Sequence, residues 1–156
     1  MGYAHNSKKG SAMKNKMLVL ILGIISALLI SGCSQLETDV QLTRRIFNGL
    51  CSGRQNVQGQ IDWEHLTAMG VDVGKTYSGI ILEKERADYR KAFFFNISFS
   101  FRASGGKLSG FSNWRVKTRE GDNAIVATDT PSNKVLLLTL TSEAGKRKLT
   151  AMKWQE

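Results

Sequence analysis

EKERADYRKAFFFNISFSF, residues 83–101, is the stretch on which the fold turns. Its first half, Glu83 to Ala92, is built of helix formers, with Glu85 and Tyr89 four residues apart. In its second half Phe93, Phe95, Ile97, Phe99 and Phe101 recur at every other position, the period of a half-buried strand. The same residues also hold a helical stripe of Phe94, Ile97 and Phe101, with Tyr77, Ile81 and Ala87 upstream. Glu83 to Phe101 contains no turn residue, so the spacing predicts one long helix through about Phe101. The competing reading ends the helix at Lys91 and continues as a strand.

Toward the N-terminus, Thr38 stands three residues before Gln41 in capping-box spacing, and Leu42, Ile46 and Leu50 recur every four residues. An amphipathic helix of three to four turns is expected there, followed by a loop over Ser52 to Gln60. Asp62 has the chemistry of a helix N-cap. Ile61 and Leu66 are placed as a hydrophobic staple and Gly70 as a C′ residue, which predicts a short helix from Trp63 to Met69. Val71 to Gly79 stays ambiguous.

Beyond the glycines of Ala103 to Gly110 the period changes to two. Trp114, Val116 and Thr118 alternate with Arg115, Lys117 and Arg119, as in a half-buried strand. Gly121-Asp122-Asn123 and Pro131-Ser132-Asn133 read as turns around a strand from Ala124 to Thr130. Val135 to Thr141 is apolar through its centre and belongs mid-sheet; Glu143 to Lys146 turns the chain into a last strand from Lys148 to Gln155. Helices followed by four consecutive strands predict an α+β fold: N-terminal helices packed on one face of a curved, four-stranded antiparallel meander.

The first 32 residues are of another kind. Lys14 and Lys16 precede an apolar run of 14 residues, Met17 to Ile30, and Ser31-Gly32-Cys33 follows. Fourteen helical residues reach about 21 Å, short of the ~30 Å hydrocarbon core of a bilayer, so the run reads as a cleaved secretory signal and not as a span. The order of basic flank, apolar core and small-small-Cys resembles the signal peptide and lipobox of bacterial lipoproteins. That resemblance implies a leader over residues 1–32, lipid on Cys33, a tether over residues 33–37 and one domain over residues 38–156. Residues 1–12, with Lys8 and Lys9, either lengthen the basic region or precede the true start at Met13. Ser34 follows the cysteine where aspartate would imply inner-membrane retention, so the lipoprotein rule points to the periplasmic face of the outer membrane. Several acyl chains on one residue make a durable anchor, whereas one chain alone holds a protein only marginally.

The whole chain carries a net charge of +9. The leader holds four lysines and no acids, which leaves 18 basic and 13 acidic side chains, a net +5 on 124 residues. Those charges are interspersed, the pattern of a solvated surface and not of a nucleic-acid or lipid-headgroup patch. With Cys33 lipidated, Cys51 has no partner within the chain. It falls at a helix end, where a small buried hydrophobe is the expected role and an intermolecular disulfide the alternative.

Candidates for chemistry are few. His65 is the sole histidine after residue 32, and Tyr77, Asp88 and Tyr89 are the other candidate acid–base groups. One histidine and one free cysteine cannot close a zinc site. Glycine-rich phosphate loops, GxSxG and HExxH are absent from the sequence, and Gly74-Lys75-Thr76 lacks the earlier glycine of a phosphate loop. No cofactor is expected. Phe93, Phe94, Phe95, Phe99, Phe101, Phe111 and Trp114 read mainly as core, with an apolar ligand pocket as the alternative.

The order of helices then meander, closing on Lys153-Trp154-Gln155, is similar to the SnoaL-like, or nuclear transport factor 2-like, superfamily of cystatin-like cones. That resemblance implies a cavity between helices and sheet, and His65, Tyr77, Tyr89 and Trp114 are its candidate cavity or interaction residues. No family catalytic residue carries over. Three expectations follow. The first is a lipid-anchored envelope protein whose periplasm-facing domain contacts other envelope proteins without catalysis. The second is a carrier of a small apolar ligand in the cone. The third is a hydrolase or isomerase on the same scaffold.

Overall fold

The structure, a computed structural model, describes residues 37–156. The leader, Cys33 and most of the tether lie outside those residues.

Helix α1 (Asp39–Ser52) begins as its sequence predicts. The Thr38 hydroxyl accepts a hydrogen bond from the Gln41 N–H at 3.2 Å, and the Gln41 side-chain oxygen accepts one from the Thr38 N–H at 3.0 Å. Two of the orphan amides at the helix start are thereby satisfied. Gly53, at φ 71°, closes the other end, its N–H donating to the Gly49 and Leu50 carbonyls. Leu42, Ile46 and Leu50 are buried as the four-residue spacing requires. The expected loop after α1 is tightened into a 3-10 turn, Gln55–Gln60.

The predicted helix from Trp63 to Met69 does not form. Asp62 does cap, but only a turn: its carboxylate accepts from the Glu64 N–H at 3.2 Å and lies 2.9 Å from His65 Nδ1. The chain then runs as strand β1 (Thr67–Ala68) and folds back as β2 (Val71–Asp72). The Met69 N–H donates to the Met152 carbonyl and the Asp62 N–H to Leu149. Bonding to a strand more than 80 positions away takes the place of the local helix. Gly70 is therefore no helix cap. Met69 and Gly70, at φ 51° and 85°, are the two central residues of a hairpin turn that demands positive φ at both. The ambiguous segment resolves into β2 and the short helix α2 (Val73–Ser78), capped by the Asp72 side chain on the Lys75 N–H at 2.8 Å.

Helix α3 (Glu83–Ala103) is continuous through the phenylalanine run, two residues past the predicted end. Phe94 is 1% exposed, whereas its neighbour Phe95 is 61% exposed and stacks on Phe99 at 5.9 Å between ring centroids, on the outer side of the helix. The upstream stripe is corrected: Tyr77 belongs to α2, and Ile81 sits in the connection, 91% exposed.

The α+β class holds. Strands β3 (Ser112–Glu120), β4 (Asn123–Asp129), β5 (Val135–Glu143) and β6 (Lys146–Trp154) form the expected antiparallel meander. The sheet is wider than four strands, however. β1 adds to β6 in parallel and β2 to β1, which makes six strands in a mixed sheet ordered β2-β1-β6-β5-β4-β3. β5 lies mid-sheet, with Leu136, Leu138 and Leu140 on the helix side.

A register shift between Val116 and Thr118 breaks the predicted alternation of β3. Thr118 pairs with Ile125, and Arg119 pairs with the fully buried Ala124, so Arg119 turns to the helix side. There it meets Asp39, a nearly buried carboxylate 2.9 Å from Arg119 and 3.4 Å from Arg147. The start of α1 is thus tied to both β3 and β6. Among the described residues, one continuous hydrophobic core runs from Leu42 to Met152.

Candidate functional site

Sheet, hairpin and helices leave a groove of about 420 Å³. Phe47 and Leu50 of α1 form its floor with Met152 of β6. The β1–β2 hairpin supplies Ala68, Met69 and Val71 on one side, and α3 supplies Tyr89, Phe93 and Ile97 on the other. Residues 89, 93, 96, 97 and 100 share one face of α3, the i, i+4, i+7 geometry of a helix. Asn96 and Ser100 carry that face onto the lip, where they place a carboxamide and a hydroxyl beside an otherwise hydrocarbon wall. Among the described residues, the groove lining contains no carboxylate, imidazole, thiol or amine. Its size lies within the range of small-molecule sites, and so does its composition, apolar walls with few polar groups.

No family model, curated protein or solved structure matches the chain. What the groove can do therefore rests on its own geometry.

Two of the four candidate residues are brought together beside the groove. Tyr89 lines it, and its ring lies 6.1 Å from that of the buried Tyr77. Arg86 and Arg90 sit over the Tyr77 ring at 5.2 and 5.8 Å, and the Tyr77 hydroxyl accepts a hydrogen bond from Arg90. Glu83 binds the other end of that guanidinium at 2.7 Å and, with Tyr77, holds Arg90 more firmly in its charged form. This is a buckle joining α2 to α3.

Trp114 lies half-buried behind Phe47, at 5.7 Å between ring centres, in a cluster with Phe111. It backs the groove wall without lining it. His65 is elsewhere. It is exposed on the Asp62 turn, and the hydrogen bond to Asp62 raises its pKa above the usual imidazole value. Asp88 is exposed and pairs with Lys91 at 3.4 Å. Among the described residues, no group of three His, Cys, Asp or Glu side chains could hold a metal ion, and no helix is long and apolar enough to cross a membrane.

Cys51 is buried at the end of α1, and burial pushes its thiol up to about 12. A protonated, covered sulfur is neither a nucleophile nor available for an intermolecular disulfide. We expect Cys51 in the folded domain to react with a thiol reagent at neutral pH at least about a hundredfold more slowly than in urea. Equal rates would show that the α1 end opens.

Sequence reasoning missed most of the groove. Of the α3 wall, the predicted stripe of Phe94, Ile97 and Phe101 contains only Ile97, and Met69, Val71 and Met152 reach the site only through the hairpin and its parallel pairing.

Proposed function

We propose that this chain is a lipid-tethered protein of the bacterial cell envelope whose domain binds an apolar guest, without catalysis, in the groove between α1, α3 and the β1–β2 hairpin. The observation that carries the proposal is the groove itself, lined by aromatic and aliphatic side chains with only Asn96 and Ser100 polar at its lip beside the Tyr89 phenol. A molecule with a hydrocarbon body and one hydrogen-bonding end, such as an acyl chain, has the matching chemistry. At about 0.8 kcal/mol per buried methylene, ten methylenes would supply about 8 kcal/mol, the micromolar range before association costs. Tethering comes from the residues around Cys33, and the succession of helices and meander supports the cystatin-like cone reading.

An environment-sensitive fluorescent fatty acid tests the binding claim. The probe is expected to bind the domain saturably. Ile97→Glu, which puts a carboxylate into the apolar wall, and Met69→Glu at the more exposed rim should each weaken binding at least about tenfold. Met69→Glu guards against unfolding, because Met69 is 45% exposed. Saturable uptake that neither variant alters would place the probe elsewhere and refute the groove.

A further inference from the structure

We infer that a second cleft, on the other side of α1, is a phosphate-binding site. It encloses about 320 Å³ between α1 and the 3-10 turn. Arg44 and Asn48 rise from α1, and Arg54 and Asn56 face them from the segment that follows it. Gly49 and Val57 make the floor. A Cβ on residue 49 would lie 2.6 Å from Val57, so glycine there lets the 3-10 turn close against the helix.

The charge balance of the cleft is what points to an anion. Three arginines line it, and one carboxylate, Glu37, stands nearby. Glu37 is taken by Arg45, whose Nε lies 2.8 Å away and whose remaining fork donates to Gln60 at 3.0 Å. Among the described residues, Arg44 and Arg54 have no acidic partner within 4.0 Å, and no side-chain hydrogen bond engages Arg44, Asn48, Arg54 or Asn56. Elsewhere in the domain Arg90 is matched with Glu83, Arg115 with Asp129, and Arg119 and Arg147 with Asp39, while Arg86 and Arg102 donate to backbone carbonyls. Two guanidinium forks and two carboxamides along one cleft offer several N–H donors and no carboxylate, which suits the oxygens of a phosphate.

Two sources could bring that phosphate: a lipid headgroup, or a phosphorylated molecule in solution. The tether reading favours the headgroup, because four residues of extended chain, about 14 Å, separate Cys33 from Glu37 at most. That preference rests on the proposed anchor; the anion chemistry does not.

The test uses the unlipidated domain, so that binding does not depend on the anchor. Its probes are inorganic phosphate, glycerol 3-phosphate, and phosphatidylcholine vesicles with and without phosphatidylglycerol. Arg44→Gln and Arg54→Gln are each expected to weaken binding about fivefold, and the double variant about thirtyfold. The pair Arg115→Gln and Lys153→Gln removes the same charge from the opposite sheet face and should leave binding unchanged. Arginine-dependent binding to the phosphatidylglycerol vesicles alone assigns the headgroup. Arginine-dependent saturation by inorganic phosphate or glycerol 3-phosphate assigns a soluble phosphate. Failure to bind any probe overturns the site, as does an equal loss in the control pair. Retained fatty acid binding in the Arg44 and Arg54 variants would show that the two sites stand or fall separately.

Discussion

Phe94→Ala is expected to destabilise the domain by about 3–5 kcal/mol, and Phe95→Ala, one residue on, by no more than about 0.5 kcal/mol. Phe94 is 1% exposed and packs its ring 6.1 Å from that of Trp63, so truncation loses the transfer free energy of a large aromatic and leaves a cavity. Phe95 faces solvent beside Phe99 and gives up little. The contrast matters because it separates the two readings of residues 83–101. A strand would bury Phe93, Phe95 and Ile97 together on one face and leave Phe94 on the other. In the helix Phe94 is buried and Phe95 exposed. Urea unfolding of the two variants measures both numbers. Equal costs, or a larger one for Phe95→Ala, would contradict the helical assignment of the groove wall. Against a typical domain stability of about 5–15 kcal/mol, loss of Phe94 removes a large share.

Gly74→Ala should cost about 3 kcal/mol, the upper end of what overpacking does. An added Cβ would sit 2.3 Å from the Glu64 carbonyl oxygen and 2.7 Å from its carbon, and both are backbone atoms that no rotamer change can move aside. The Gly74 N–H also donates to the Leu66 carbonyl at 2.9 Å, which pins α2 to the Asp62 turn. Gly59→Ala is the matched control. Its Cβ would meet nothing within 4 Å, and the change should be neutral or slightly stabilising. Because Val73, the adjacent residue, lines the groove, Gly74→Ala should weaken fatty acid binding as well. Thermal melts of the two glycine variants, with the probe titration, check both effects. A Gly74→Ala protein as stable as Gly59→Ala would mean that α2 does not approach the turn so closely.

That glycine also explains a false scent in the sequence. Gly74-Lys75-Thr76 looks like the tail of a phosphate loop, but what position 74 needs is space against Glu64, not a nucleotide.

Legibility followed the range of the interactions. The Thr38–Gln41 capping box, the Leu42-Ile46-Leu50 stripe and the apolar centre of β5 were readable because their causes lie within a few residues. α3 was readable for the same reason: an uninterrupted run without turn residues stayed helical to Ala103. The Trp63–Met69 segment defeated local reading because its hydrogen bonds go to Leu149 and Met152. Arg119 did so because the β3 bulge turns it inward to Asp39, a carboxylate 80 positions earlier. The groove inherits both difficulties. Its α3 wall was legible as a helix but not as a face, since only Ile97 of the predicted stripe lines it, and its opposite wall exists only after the hairpin has added to the sheet.

The most direct measurement is the intact mass of the protein, isolated from its own cells in a gentle detergent and sprayed under non-denaturing conditions. A bound apolar molecule should add mass to the wild-type protein and disappear on Ile97→Glu, while the covalent lipid mass proposed for Cys33 should be present in both. A wild-type mass with nothing bound, in a protein that also fails to take up the fatty acid probe, would contradict the account.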